Sequence, residues 1–403
     1  MEKPSISPQP QDGYDLYSES YVNDPHSIWD GIRASGCPVA HSDKWGSSWL
    51  PTAYEDIHKL AQDTEHLSSR AVEFSGPIPS LGSGLVFAPL TSDPPVHKQH
   101  RDLLEPWFTP ARINALEPFA RERARVLVAG IAAKGSGDVA RDFSQPYALS
   151  ILTRLLQVPD ERQKKFMDWA IRVIKLGPFD QALRAEAFKE AFADLDQLLN
   201  ERASNPGDDL VSHLAQATIN GQPISQKHKL GSLLLTILAG ADTTWNAING
   251  SIYHLAEHPD DRAILVAQPE MMRTTAVEEL LRVYAPLTIG RITSHEVQLH
   301  GRCIAEQERV ILAYPAANRD PKVFDQPNQV QLNRKRNRHL TFGTGVHRCL
   351  GAHLARMELR VALEEWLIAI PNFEREPGKV KWGSGQVRGP ENVNVRIVRS
   401  HAS

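Results

Sequence analysis

Phe342-Gly343-Thr344-Gly345-Val346-His347-Arg348-Cys349-Leu350-Gly351 is the stretch on which the reading of this chain turns. A glycine-bearing loop leads into a cysteine, and the apolar spacing of Leu350, Leu354 and Met357 predicts a helix starting at Leu350. A cysteine at a helix N-terminus meets unpaired backbone N–H groups and the positive end of the helix dipole. Both favour thiolate over thiol, the form that binds a metal through sulfur. The glycines let the backbone turn tightly and approach a flat cofactor that side chains would block. Cys37 and Cys303 lack such surroundings and read as ordinary core cysteines.

Outward from that loop, the chain is ordinary in bulk. Its 403 residues are 41% hydrophobic and 23% charged, a composition typical of globular proteins in water. A net charge of −3 gives no general attraction to nucleic acid or to an anionic membrane. Three scattered cysteines do not make a disulfide framework, so a reducing cytoplasm is the expected compartment. The start of the chain, Met1 to Pro8, lacks the apolar stretch of a signal peptide. The most apolar run, Leu233 to Ala241, is too short to span a bilayer.

Residues 1–25 read as an extended, proline-bearing lead-in. Strands and turns are expected from Pro38 to Thr52, a helix from Tyr54 to Ala61, and a loop from Ser75 to Pro95. Helical periodicity dominates from His97 to Arg282. Its breaks fall at Pro106, Pro110, Gly135-Ser136-Gly137, Gly177-Pro178 and Asn205-Pro206-Gly207. Between Thr288 and Ala313 β-branched residues and alternation return, as in Arg309-Val310-Ile311-Leu312. Short turns and strands follow the last helix. No internal repeat, low-complexity tract or linker divides the chain, so residues 1–403 read as one domain, mainly α with small β-sheets.

A second signal is Ala239-Gly240-Ala241-Asp242-Thr243-Thr244, inside the helix expected from Gln226 to His258, which Pro259 stops. Gly, Asp and two Thr in mid-helix are locally unfavourable, because short polar side chains compete for backbone hydrogen bonds. A threonine hydroxyl that takes the carbonyl four residues back loosens the ladder and leaves room for a small ligand or water. Glu279 and Arg282, at i and i+3, share a helix face; exposed pairs of this kind are worth little alone.

The decamer around Cys349 resembles the haem-ligand loop of the cytochrome P450 family, F-x-x-G-x-x-x-C-x-G, with every fixed position present. The resemblance spans about residue 15 to the C-terminus and implies that family's triangular, mostly helical fold, the cytochrome P450 fold. It implies Cys349 as the axial thiolate of a haem b iron, a ligation that favours O–O cleavage. Phe342, Gly343 and Gly351 are then cofactor-binding. Residues Ala239 to Thr244 resemble the oxygen-activation motif A/G-G-x-D/E-T-T/S. That implies Thr243 hydrogen-bonds dioxygen or its proton-donating water, with Asp242 relaying protons from solvent. Glu279-Leu280-Leu281-Arg282 matches E-x-x-R and, with Arg334, implies a buried structural cluster behind the haem. Val330 stands where an aromatic residue is frequent. Two haem propionates need several donors, and the family pattern points to His97, Arg101, Arg291 and His347.

The implied activity is that of a haem-dependent monooxygenase, placing one oxygen atom of O2 into a small, mainly apolar organic substrate by hydroxylation or O/N-dealkylation. The alternatives are a peroxide-driven peroxygenase, disfavoured by Asp242 and Thr243, and a non-enzymatic haem-thiolate sensor or carrier. Leu85, Phe87, Leu235, Leu238, Ala239, Leu287 and Ile289 are expected to line the substrate pocket, under a helical lid from Phe166 to Asp194. No flavin, nicotinamide or iron–sulfur segment fits beside the haem domain. Electrons are therefore expected from a ferredoxin or flavodoxin with its reductase, docking on Lys98, Arg101, Lys335, Arg336, Arg338 and Arg348. The chain also resembles haem domains of self-sufficient, reductase-fused members. It is expected to be a stand-alone cytoplasmic monomer with no nucleic-acid or membrane partner, the alternative being a haem domain separated from a longer chain.

Overall fold

A computed structural model describes residues 11–70, 72 and 86–398. Two short helices open it, α1 (Glu19–Asn23) and α2 (Pro25–Ala34), followed by a hairpin of β1 (Val39–Ser42) and β2 (Ser48–Pro51). The lead-in is thus not extended throughout: Ser18 caps α1, and Asp24 accepts from the Ser27 N–H to start α2 at Pro25. Next come α3 (Tyr54–Gln62), β3 (Leu67–Ser68), α4 (Val96–Leu104) and α5 (Pro110–Lys134). Gly135, at φ +78°, ends α5 where the sequence placed a break.

The middle of the chain holds β4 (Ser136–Asp138), α6 (Gln145–Leu156), α7 (Gln163–Ala170), α8 (Gln181–Ser204), α9 (Leu210–Gln216) and the small hairpin of β5 (Thr218–Ile219) and β6 (Gln222–Pro223). Then follow α10 (Gln226–Glu257), α11 (Pro259–Ala267), α12 (Ala276–Val283) and the strands β7 (Thr288–Thr293), β8 (Val297–Leu299), β9 (Arg302–Ile304) and β10 (Arg309–Ala313). The chain closes with α13 (Tyr314–Ala317), α14 (Ala352–Ala369), β11 (Phe373–Arg375) and β12 (Asn394–Ile397). Helices dominate and the sheets are small, as the periodicity predicts.

Five strands form one sheet in the order β1-β2-β10-β7-β3, with β2 and β10 parallel and the other neighbours antiparallel. Every residue of β7 and β10 is buried, including Arg291 and Arg309. The alternation read at Arg309 to Leu312 therefore does not mark a solvent face, since both faces of these central strands are covered.

Helix α10 is the axis of the molecule. Ser225 caps its start, accepting from the His228 N–H, and 22 of its 32 residues are buried, so it is packed on nearly all sides. Helices α6, α7, α8 and α14 lie against it. One helical core gathers α5, α10, α12 and α14, and a second gathers α6, α7, α8 and α10. Two further cores lie on the sheet. Cys37 and Cys303 are half-buried rather than core residues. No helix among the described residues is long and apolar enough to cross a membrane.

Candidate active site

The Cys349 loop is fixed by its own backbone. Gly343 and Gly345 take φ of +65° and +70°, a region that side-chain-bearing residues avoid. A Cβ at Gly343 would also stand 3.1 Å from the Tyr314 hydroxyl. The Gly343 N–H donates to the Leu340 carbonyl and the Cys349 N–H to the Phe342 carbonyl, both at 2.8 Å. The loop is thereby closed on itself. Phe342 packs against the first helical core, with the Arg356 guanidinium 4.4 Å over its ring.

Helix α14 begins at Ala352, with Gly351 as N-cap, so Cys349 lies before the helix and not on its first turn. Gly351 still serves the sulfur, because its N–H favours the thiolate. A Cβ there would sit 4.0 Å from Sγ. Burial is the larger influence and pushes the thiol up, against Gly351 and the guanidiniums of Arg101, Arg356 and Arg348. Gly351 and the three guanidiniums act in the direction expected of the loop, and burial acts against them. Cys349 is nevertheless exposed.

Four basic groups from three segments converge beside this loop. His97 and His347 meet edge to face with ring centroids 4.3 Å apart. His347 Nε2 lies 2.8 Å from the Ser69 hydroxyl. Burial, then the charges of Arg291, His97 and Arg101, hold the His347 imidazole down to about 3. His97 is lowered by burial and by Arg101. Arg291, fully buried on β7, gives Nη1 to the neighbouring Gly290 carbonyl at 2.8 Å. Arg101 holds the loop from the other side, its Nη1 donating to the carbonyls of Val346 (3.3 Å) and Arg348 (2.9 Å).

The acid that acts on both His97 and Arg291 is Asp93, which already accepts from the Ser69 N–H at 2.7 Å and from the Ser68 hydroxyl. The buried Nε2 of His97 has no hydrogen-bond partner among the described residues. Glu105 lies 3.9 Å from Arg101 but is exposed, so a basic cluster whose buried acid is committed and which keeps an orphaned donor fits a group bearing carboxylates. A single exposed cysteine fits a metal whose other ligands come from a macrocycle. The residues therefore fit haem.

Helix α10 packs on α14, the helix that follows the Cys349 loop. Between Gly231 and Ile252 of this helix Leu235, Ala239, Gly240 and Thr243 keep accessible surface, and Leu235, Ala239 and Thr243 form a stripe at four-residue spacing. The Thr243 hydroxyl donates to the Ala239 carbonyl at 2.8 Å, the local loosening expected from sequence. Asp242 points the other way and is fully buried. Its Oδ1 accepts from Asn246 Nδ2 at 2.9 Å and lies 3.8 Å from Lys175 Nζ. Burial raises this carboxyl to about 6, with Lys175 opposing. Lys175 also reaches Glu391 at 3.2 Å, and Glu391 reaches the exposed Lys381 at 2.6 Å. Charged groups thus run from Asp242 to the surface.

Lys175 and Glu391 were not legible as site residues, because their partners are distant in sequence; Asn246, one helical turn after Asp242, carried an i, i+4 signal that was not used. Glu358 of α14 was also missed; burial raises its carboxyl to about 8, and the Thr244 hydroxyl is its hydrogen-bond partner.

The other expected residues are placed as follows. Glu279 and Arg282 are fully buried and joined twice, at 2.9 and 2.7 Å, and Arg334 Nε meets Glu279 at 3.0 Å. Arg282 also donates to the carbonyls of Asn318, Pro327 and Gln329. Val330 packs on the first helical core, while Phe324 supplies an aromatic face to Arg282 and Arg334. Leu238 is packed in the second helical core and Ile289 in a sheet core. Leu287 is half-buried and bridges to Val387. Phe87 packs on Phe188 of α8 at 5.9 Å, and Leu85 lies outside the described residues. The lid breaks at Gly177-Pro178, where the next residue, Phe179, packs on Tyr17 and Trp45. Lys98, Lys335, Arg336, Arg338 and Arg348 are exposed.

Comparison with known proteins agrees with this geometry. The family model for Cytochrome P450 matches residues 268–380. A probable cytochrome P450 127A1 of Sinorhizobium fredii is 33% identical over 376 residues, 92% of this chain and 89% of that protein. Linalool 8-monooxygenase of Pseudomonas putida is 30% identical over 415 residues, covering 99% of this chain and all of its own. The solved structure of the bacillaene polyketide synthase cytochrome P450 PksS of Bacillus subtilis superposes with a TM-score of 0.88 at 27% identity, covering 96% of this chain and 100% of that one. With a closed cysteine loop, a basic cluster beside it and a loosened acid–threonine helix, the chain belongs to the cytochrome P450 family of haem-dependent monooxygenases.

Proposed function

We propose that residues 1–403 act as one haem-thiolate monooxygenase domain that oxidises a small, mainly apolar organic molecule with O2. The convergence of His97, Arg101, Arg291 and His347 on the Cys349 loop, with His97 Nε2 unpartnered among the described residues, carries this reading. Haem held through a thiolate supplies the activation of O2. Cys349 is the metal ligand, and Gly351 N–H steadies its charge. Arg291, His97 and His347 hold the propionates, and Arg101 keeps the loop in place.

On α10, the Thr243 hydroxyl exchanges its bond to the Ala239 carbonyl for one to a water, and positions that water's proton. Asp242, poised near 6, restores the proton and is refilled through Lys175 and Glu391. The buried, mostly apolar surroundings limit this traffic to single protons rather than bulk water. The apolar stripe of Leu235 and Ala239, with Phe87 and Leu287, favours a neutral substrate; the relative named for linalool is consistent with that class. Electrons come from an acidic ferredoxin- or flavodoxin-type protein docking on Lys335, Arg336, Arg338 and Arg348.

The test is Thr243→Ala, measured as product formed per electron consumed. Electron consumption is expected to persist while product per electron falls roughly tenfold or more and peroxide rises. Unchanged product per electron would remove the role given to Thr243.

A further inference from the structure

Away from the Cys349 loop, three segments remote in sequence bring positive groups together. Helix α2 contributes His26 and Arg33, the end of α13 contributes Arg319, and the turn before β12 contributes Arg388. Arg33 Nη2 donates to the Arg319 carbonyl at 3.2 Å. Arg319 donates to Asn328 Oδ1 and to the Val283 carbonyl, both at 3.1 Å. Arg388 gives Nε and Nη2 to the Val22 carbonyl and covers the Trp382 ring at 4.3 Å. Neutral oxygens therefore answer most of these guanidinium bonds.

Four buried donors in this cluster, His26 Nδ1, Arg33 Nε and Nη1, and Arg319 Nε, have no partner among the described residues. Arg319 itself is 8% exposed. The neighbouring acids are committed or face water. Asp320 accepts from the N–H groups of Tyr54 and Lys322, and Asp24 caps α2. Asp30 lies 3.3 Å from Arg33 but keeps half its side chain in water. Tyr21 and Tyr284 are held neutral by burial. Burial, then the charges of Arg319, Arg388 and Arg33, depress His26. Burial also draws Arg319 and Arg388 down to about 10.

We propose that His26, Arg33, Arg319 and Arg388 form a binding site for a small oxyanion of the phosphate type. Each unmet buried donor is costly, and one tetrahedral anion can satisfy several at once. The arginine fork matches phosphate oxygens in pairs. Such an anion ties α2 to the C-terminal turn, three residues before the Glu391 that holds Lys175.

The test is thermal melting and calorimetric titration of the haem-loaded chain with inorganic phosphate, against chloride at equal ionic strength. Phosphate at about a hundredfold over its Kd is expected to raise Tm by roughly 3–5 °C, with saturation. Arg33→Gln and His26→Gln are each expected to weaken binding about tenfold, while Arg396→Gln, exposed on β12, keeps the wild-type affinity. If Arg33→Gln does not fold, His26→Gln and the wild-type titration decide. No saturable phosphate effect on the wild type, or undiminished affinity in the folded variants, overturns the proposal.

Discussion

Two basic clusters serve the Cys349 segment, and they differ in their acids. Around Arg282 and Arg334 the carboxylate of Glu279 meets both guanidiniums, and backbone carbonyls take the remaining donors of Arg282, while Arg334 Nη2 has no partner among the described residues. Around His97, Arg101, Arg291 and His347 the acid common to His97 and Arg291 is Asp93, already engaged by Ser68 and Ser69, while Glu105 reaches Arg101 only at 3.9 Å from an exposed position. The first cluster holds its counter-charge within it, in the buried carboxylate of Glu279, and braces the chain. The second repels itself, so its stability is finished only by an anionic ligand. Charge balance, rather than the number of arginines, separates brace from binding site.

The largest effect that can break this comparison lies in the first cluster. Arg282→Ala leaves Glu279 charged, buried and short of its main partner, at a cost of about 3–5 kcal/mol. The expected result is little or no folded protein, with or without added haem, read from expression yield and circular dichroism. Recovery of normal folding would show that the pair is not a brace.

Glu358 is the mirror case, a buried acid whose shift involves no cation. Its folded value of about 8 lies above the usual 4.5, so between those values the folded state keeps a proton that the unfolded state has lost. Stability from this group therefore falls as pH rises from about 4.5 to about 8. Glu358→Gln removes that decline. Denaturant titrations should show no gap between variant and wild type at pH 4 and a gain on the order of 3 kcal/mol at pH 7.

For the second cluster the expected signs are opposite with and without ligand. Arg291→Gln should leave the haem-free protein at least as stable as wild type, because a self-repelling charge is gone. The same change should speed haem loss about tenfold, the worth of one charge-assisted hydrogen bond. Melting of the haem-free form and transfer of haem to an acceptor protein measure the two arms. A haem-free form that is destabilised would place Arg291 with the braces.

The smallest effect concerns Lys175, which opposes the burial of Asp242. Lys175→Met should move the Asp242 carboxyl further above 6. The pH at which product per electron changes should then rise by up to about one unit. An unmoved pH profile would separate Lys175 from Asp242.

What the sequence disclosed follows from how local each feature is. Cys349, Gly343 and Gly351 act through their own loop backbone, and Thr243 acts on the carbonyl of Ala239, so short motifs carried them. Helix α10 was legible from Gln226 to the stop at Pro259 because periodicity and stop signals are local as well. Lys175, Glu391 and Glu358 owe their roles to neighbours 60 or more residues away, and no spacing marks them. Burial around Cys349, which opposes the N–H of Gly351, is set by distant packing that no motif records. Helix α1 was missed because Pro25 and the polar residues before it masked a capped single turn at Ser18.

The central claim is that Cys349 ligates a haem that the second basic cluster holds by its carboxylates. Its most direct test is the absorption spectrum of the haem-loaded chain, reduced under carbon monoxide, in wild type and in Cys349→Ser. Thiolate donation to the iron predicts a strongly red-shifted main band in the wild type. Cys349→Ser is predicted to keep one equivalent of haem through His97, Arg291 and His347 and to lose that shift. A wild type that takes up no haem, or a Cys349→Ser spectrum identical to it, would contradict the account.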